Sequence, residues 1–148
     1  MDIQANIPQP LSRRPDTQWH CSERDLIHIV AIARALSDAQ QFMGTMSFGE
    51  FAASDGKQNA VAMAVARCGA HVKQLSQEFR NAEPGITWQN ISAMRDWIIH
   101  DYDGLDFEKL YYAVTAEAPH VLAILQPYIE PLTEIKQEST DPFNVPRI

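Results

Sequence analysis

Apolar side chains recur at helical spacing through most of this chain, and breaker residues divide them into separate runs. The first run follows Ser22, a residue type that caps helix N-termini, and precedes Gly44, which favours a helix end. Its apolar positions are Leu26, Ile29, Val30, Ala33 and Leu36. Because this period is that of an α-helix, the pattern predicts a first helix from Ser22 to about Gln41.

The next part of the chain carries a second start signal. Ser47 and Glu50 have the spacing of a capping box, in which the serine bonds forward and the glutamate bonds back, so a short helical turn is predicted there. A long helix is predicted to follow, from about Ser54 to Arg80. Its middle, 60–66, is rich in small side chains, which let another helix approach closely.

Two more helices complete the predicted fold. Thr87 is the expected N-cap of one, which the pair Asp103-Gly104 interrupts. Asp106 is the expected cap of the last, and Pro119 should kink that helix or split it at Ala118. The fold class is therefore all-α, an up-down antiparallel bundle of four to five helices.

This bundle is expected to form one domain over residues 22–134. Residues 1–21 hold three prolines and no helical periodicity, so they predict a flexible N-terminal arm. Residues 135–148 predict a flexible C-terminal tail. A chain of 148 residues suits one domain with a buried core.

The composition narrows the functional classes. No stretch of 18 apolar residues and no signal-peptide pattern occurs, so we expect no membrane association and a cytoplasmic location. Cys21 and Cys68 lack metal-ligand spacing, and neither a metal nor a cofactor is expected. The net charge of −7 argues against nonspecific nucleic-acid binding and, taken alone, favours a binding module over a ribonuclease.

The segment 95–102 carries the most reactive set of side chains. Arg95 can hold a phosphate through a two-pronged hydrogen bond, and His100 can take or give a proton near neutral pH. Tyr102 can donate a hydrogen bond to a phosphate oxygen or stack on a base. Together these three groups can cleave RNA without a metal ion.

The motif belongs to a series of segments that occur in one order with characteristic gaps. They are Met46-Ser-Phe-Gly-Glu-Phe51, Gln58-Asn-Ala-Val61, Gly69, Lys73-Gln-Leu-Ser76, Pro84-Gly-Ile-Thr-Trp88, Met94-Arg-Asp-Trp-Ile-Ile-His-Asp-Tyr102 and Gly104-Leu-Asp-Phe107. Over roughly residues 23–130 this series resembles a known family, the HepT-like branch of the HEPN proteins. Members of that family are small all-helical ribonuclease toxins encoded beside a minimal nucleotidyltransferase antitoxin.

The resemblance implies a metal-independent endoribonuclease toxin of a type VII-like toxin–antitoxin module, with RNA as substrate. Arg95, His100 and Tyr102 would be catalytic, with Asp96 and Asp101 in supporting positions. It also implies a homodimer and a cognate antitoxin, a MntA-like nucleotidyltransferase that AMPylates Tyr102.

The spacing of the motif sets a geometric condition. On a regular helix Arg95 and Tyr102 differ by only about 20°, but Arg95 and His100 differ by about 140°. The three side chains meet only if the helix deforms near His100 or if a second protomer completes the site. One position departs from the family, which commonly has a glutamate where this chain has Ala70, one residue after Gly69.

Two other functions compete with the ribonuclease. The first is a non-catalytic helical partner or nucleotide-binding subunit of a minimal nucleotidyltransferase, which Ala70 and the acidic charge favour. The second is a metal-binding carboxylate bundle, which needs a Glu-x-x-His pattern on two helices. The sequence has this pattern once, at Glu117-Ala-Pro-His120, so this function is discounted. The sequence identifies neither the RNA target nor the neighbouring gene.

Overall fold

The computed structural model describes residues 21–139, with side chains for residues 21–132. It contains α1 (Glu23–Met43), α2 (Phe48–Ala52), α3 (Asp55–Val72), α4 (Gln77–Ala82), α5 (Trp88–His100), a 3₁₀ turn (Tyr102–Gly104), α6 (Phe107–Tyr112), a π-helical segment (Ala113–Glu117) and α7 (Ala118–Ser139). No strand occurs within the described residues, and the all-α prediction is confirmed. Helix α3 lies between α1 and α5, and α7 packs against α1.

The helices predicted to begin after Ser22, Ser47 and Thr87 do begin there. The Ser22 hydroxyl accepts the Asp25 N–H at 3.0 Å, and α1 ends at Gly44, whose φ of +55° suits a residue without a side chain. At the start of α2, Ser47 and Glu50 form the predicted capping box. Helix α5 also begins after Thr87 as expected, although the threonine side chain makes no capping hydrogen bond.

The long helix predicted to reach Arg80 is wrong, because α3 ends at Val72 and a separate helix α4 follows. The break is held by Asp25 of α1, a buried carboxylate that accepts the Ser76 N–H at 2.8 Å and the Ser76 hydroxyl at 2.6 Å. Ser76 is extended, and its hydroxyl oxygen also caps α4 by accepting the Phe79 N–H. A contact between residues far apart in the chain therefore overrides the local helical pattern.

The predicted irregularity before Pro119 is present as the π-helical segment, which ends where α7 begins at Ala118. Proline has no N–H to complete an α-helical bond, so a wider turn before it accommodates the missing donor. Helix α7 then continues to Ser139, so residues 135–139 of the expected C-terminal tail are helical. The rest of that tail, 140–148, and residues 1–20 of the expected N-terminal arm lie outside the described residues.

The core consists of two adjoining clusters of buried apolar side chains. One joins α1, the end of α3, α4 and α7, and includes Ile32, Val72, Phe79, Leu125 and Tyr128. The other joins the end of α1, α2, α3, the end of α5, α6 and the π-helical segment, and includes Met43, Phe51, Val61, Leu110 and Val114. Among the described helices, none combines the length and the apolar character that a membrane crossing requires.

Candidate active site

The stem of Arg95 is fixed by close packing between α5 and α3. A methyl group at Gly69 would overlap the Arg95 Cβ and would lie 3.0 Å from the Ile91 carbonyl oxygen. Only glycine therefore lets the two helices approach this closely. The Arg95 side chain is 29% exposed, so its base is packed while its guanidinium remains accessible.

Asp96 links Arg95 to a second cation. Arg95 Nη1 donates to Asp96 Oδ1 at 3.0 Å, and Nζ of Lys73, the residue that follows α3, donates to the same oxygen at 2.5 Å. Hydrogen bonds from Lys73 and then from Arg95 lower the pKa of Asp96 below its ordinary value. The aspartate is thus ionised at neutral pH, and the three groups keep a surplus of one positive charge.

Tyr102 lies in the 3₁₀ turn that follows α5. Its hydroxyl donates to Asn59 Oδ1 of α3 at 2.5 Å, and its ring packs edge-on against Phe107 with centroids 5.7 Å apart. Burial, together with the charges of Asp55 and Asp103, raises the pKa of Tyr102. The phenol therefore keeps its proton and acts as a hydrogen-bond donor.

Asp101 holds the turn that carries Tyr102. Its carboxylate accepts the Gly104 N–H at 3.2 Å, and a methyl group at Gly104 would overlap that carboxylate. The role of Asp101 visible in the structure is therefore to cap the 3₁₀ turn.

His100 is the last residue of α5 and is exposed. The helix is regular up to this residue, and the chain leaves helical geometry only at Asp101, so the expected deformation does not rotate His100 toward Arg95. Asp96 lies four residues before His100 and is its neighbour on the helix surface. The ion pair with Asp96 therefore draws the Arg95 guanidinium toward the side of α5 that carries His100.

The structure thus joins Arg95 to Asp96 and Lys73, joins Tyr102 to Asn59, and leaves His100 in solvent. The contacts of Lys73 and Asn59 were not predicted. The sequence signal for both residues is that they fall inside segments on which the family resemblance rests, Gln58-Asn-Ala-Val61 and Lys73-Gln-Leu-Ser76.

Helix α5 also forms one wall of a groove of about 1240 Å³, whose other wall is α6, the π-helical segment and α7. Trp97 lines this groove, and Lys109 Nζ lies 5.7 Å from its ring centroid. Within the described residues, no three His, Cys, Asp or Glu side chains are grouped so that they could hold a metal ion.

Known proteins with similar sequences are named as ribonucleases. The chain is 31% identical over 88 residues to "Probable ribonuclease HepT" of Thermococcus cleftensis, covering 60% of this chain and 80% of the relative. It is 28% identical over 99 residues to "Putative RNase MJ0127" of Methanocaldococcus jannaschii, covering 67% and 82% of the two chains. It is 29% identical over 76 residues to "Putative RNase TTE0752" of Caldanaerobacter subterraneus, covering 51% and 68%.

No solved structure matches the chain. The sequence model of one family, described as Ribonuclease HepT-like, matches residues 32–128, which include α3, α5 and the whole segment 95–102. This match covers more than half of the chain, and the protein therefore belongs to the ribonuclease HepT-like family.

Proposed function

We propose that this protein is a metal-independent endoribonuclease toxin whose reacting groups are Arg95, His100 and Tyr102. The observation that carries the proposal is the position of a cationic group one helical turn before the solvent-exposed His100 of α5. Asp96 forms this group with Arg95 and Lys73, and the chain belongs to a ribonuclease family. The names of the three relatives support the same activity.

The reaction would be an in-line attack within the RNA. His100 removes the proton of a ribose 2′-hydroxyl, the 2′-oxygen bonds to the adjacent phosphorus, and the bond from phosphorus to the 5′-oxygen breaks. The leaving 5′-oxygen takes up a proton, and the products are a 2′,3′-cyclic phosphate and a 5′-hydroxyl. Arg95 stabilises the charge that builds on the non-bridging oxygens, and the Tyr102 hydroxyl donates to the phosphate.

A second copy of the chain would complete the site. His100 and its neighbour Ile99 are exposed at the end of α5, so both are accessible to a second protomer. In a two-fold dimer each α5 faces its copy, so the histidine of one protomer can act beside the arginine of its partner.

The proposed control is AMPylation of Tyr102 by a MntA-like nucleotidyltransferase antitoxin in the cytoplasm. The phenol oxygen would bond to the α-phosphorus of ATP, pyrophosphate would leave, and the phenol proton would be released. The hydrogen bond that the hydroxyl donates to Asn59 would then be lost. The added phosphate is negative and bulky, and near Arg95 and Lys73 it would occupy the cations that RNA needs. The Tyr102-containing peptide should gain the mass of one or more AMP groups when the antitoxin and ATP are present.

Cleavage of an RNA oligonucleotide by the purified protein tests the activity. The wild-type protein should cut it in EDTA and leave a 2′,3′-cyclic phosphate, while the same oligonucleotide with 2′-deoxyribose throughout should remain intact. His100→Ala and Arg95→Ala should each lose at least a hundredfold in rate. The exposed His100 can be replaced without a change in the unfolding midpoint. Full activity in either variant contradicts the assignment.

Mixing the two inactive variants tests the shared site. If subunits exchange at random, half of the dimers contain one copy of each variant, and each of these has one complete site. The mixture should therefore recover up to roughly a quarter of the wild-type activity. A mixture that stays inactive although both variants form dimers would show that each protomer works alone.

The alternative function is a non-catalytic helical partner of a nucleotidyltransferase. The observation that favours it is Ala70, which is exposed on α3 beside Gly69. This position therefore lacks the carboxylate that the family resemblance leads us to expect there. Under this alternative the wild-type protein forms a stable complex with the nucleotidyltransferase and leaves every RNA uncut.

A further inference from the structure

A small pocket between α1 and α3 gathers basic side chains on the surface of an acidic protein. The pocket has a volume of about 290 Å³, and Arg34, Arg67 and His71 line it together with apolar residues of α1. We propose that this pocket is a second phosphate-binding site, which holds a backbone phosphate of the RNA a few nucleotides from the bond that is cut. The inference rests on the proposed function, since it assigns the site a part of the same substrate.

The charges of the pocket suit a phosphate. Arg67 Nη2 donates to Asp38 Oδ2 at 2.7 Å, which fixes the guanidinium while most of its five N–H donors stay available. Arg34 is exposed at the other side of the opening. The two arginines and Asp38 leave one surplus positive charge, in a chain whose net charge is −7.

A contact between two imidazoles fixes the ring of His71. The Nδ1 atoms of His71 and of His28 on α1 lie 3.0 Å apart, so one of them carries a proton that it donates to the other. Burial, His28 and then Arg67 lower the pKa of His71. The ring is therefore neutral and held in place at neutral pH, and a bound phosphate would favour its protonated form.

The pocket and the active site lie at the two edges of one exposed face of α3. Arg67 and Lys73 are separated by about 9 Å along the helix axis and by about 120° around it. The positions between them, Met63 and Ala70, are exposed and carry no charge. A single RNA strand that crosses this face can place one phosphate at Arg95 and Lys73 and another, a few nucleotides away, at Arg34 and Arg67.

The direct test measures binding of an RNA that cannot be cleaved. A fluorescent 2′-O-methyl oligonucleotide of twelve nucleotides is titrated with the full chain, and anisotropy is followed at several salt concentrations. Arg34→Gln and Arg67→Gln should each weaken binding about fivefold and lower the salt slope by about 0.7, the contribution of one phosphate contact to a single strand. Arg24→Gln is the matched control, because Arg24 is also an exposed arginine of α1 but contacts the neutral Gln74 and does not line the pocket.

The results divide clearly. The proposal is supported if Arg34→Gln weakens binding while Arg24→Gln changes it less than twofold. It is refuted if the two variants bind alike, because charge alone then explains the effect. It is also refuted if inorganic phosphate or polyglutamate binds the wild-type pocket while Arg34→Gln binds RNA as tightly as the wild-type protein does. That result would identify the pocket as a site for a free anion or for an acidic protein.

Cleavage assays separate this inference from the proposed function. Arg34→Gln should raise KM for the cleavable twelve-nucleotide RNA about fivefold and leave kcat unchanged, while a dinucleotide, too short to reach the pocket, should be cut as by the wild-type protein. If the wild-type protein cuts no RNA, the proposed function fails, and the anisotropy result still decides the pocket. If the wild-type protein cuts RNA and Arg34→Gln matches Arg24→Gln, only the pocket assignment fails.

Discussion

The packing of α5 on α3 predicts different effects for the same substitution at two glycines of one helix. In Gly69→Ala the new methyl group would overlap the Arg95 Cβ and approach a backbone oxygen at 3.0 Å, and neither of these atoms is the free end of a flexible side chain. The helices must therefore separate. In Gly56→Ala, near the start of α3, the new methyl group meets nothing within 4 Å.

The expected size of each effect follows from two contributions. Alanine in place of glycine in a helix raises the free energy of unfolding by up to about 1 kcal/mol, and both variants receive this gain. Overpacking of a tight interface lowers the free energy of unfolding by about 1–3 kcal/mol, and only Gly69→Ala pays it. The two variants should therefore differ by about 1–3 kcal/mol, with Gly56→Ala more stable than the wild-type protein.

Urea unfolding followed by circular dichroism at 222 nm measures this difference. The midpoints should separate while the slopes stay equal, because the surface exposed on unfolding is the same. If RNA cleavage is observed, Gly69→Ala should also reduce it, since the Arg95 stem moves with α5. Equal midpoints for the two variants would mean that α5 does not rest on Gly69 as described.

Three further predictions concern buried groups. Asp25→Asn should lower the free energy of unfolding by about 2 kcal/mol in urea titrations at pH 7, because a charged acceptor of the Ser76 hydrogen bonds is lost. Burial raises the pKa of the Asp25 carboxyl, but hydrogen bonds from Ser76 and Ser22 and an electrostatic contribution from His28 together outweigh burial, so the pKa is lowered in the folded chain. This contribution is therefore present above the ordinary carboxyl pKa and disappears as pH falls through the lowered one. A difference between the two proteins that does not shrink as the pH is lowered contradicts this. Burial raises the pKa of Cys68 to about 12, so a thiol reagent at pH 8 should leave Cys68 unlabelled until the protein unfolds, as mass spectrometry of its peptide can check. Phe51→Ala should lower the free energy of unfolding by about 3–5 kcal/mol, since the ring is fully buried, and a loss below 1 kcal/mol would exclude its core position.

The parts of the fold that depend on local chemistry were predictable from the sequence. Ser22 and Ser47 cap helices through bonds to residues three positions away, and Gly44 ends α1 through its own backbone freedom. The break at the end of α3 was not predictable, because it depends on hydrogen bonds from Ser76 to the carboxylate of Asp25 on α1. Periodicity carries no information about such a partner.

The same distinction applies to the candidate site. The fixed segment gaps predicted the family, which the family match confirms. The chemistry inferred from the residue types of the motif stays a prediction. The partners of the motif lie on α3 or directly after it, and neither the bond from Tyr102 to Asn59 nor the one from Lys73 to Asp96 follows from helical spacing. Only the packing of α5 across Gly69 brings these side chains together.

The contact between Gly69 and Arg95 has a thermodynamic consequence for ligand affinity. A free arginine side chain carries about 2 kcal/mol of rotamer entropy, which it loses when it clamps an anion. Because the first carbons of Arg95 are already wedged against the bare backbone of a neighbouring helix, part of that disorder is absent before any ligand arrives. The absence of a side chain at Gly69 thus preorganises the Arg95 guanidinium and lowers the entropic cost of binding phosphate.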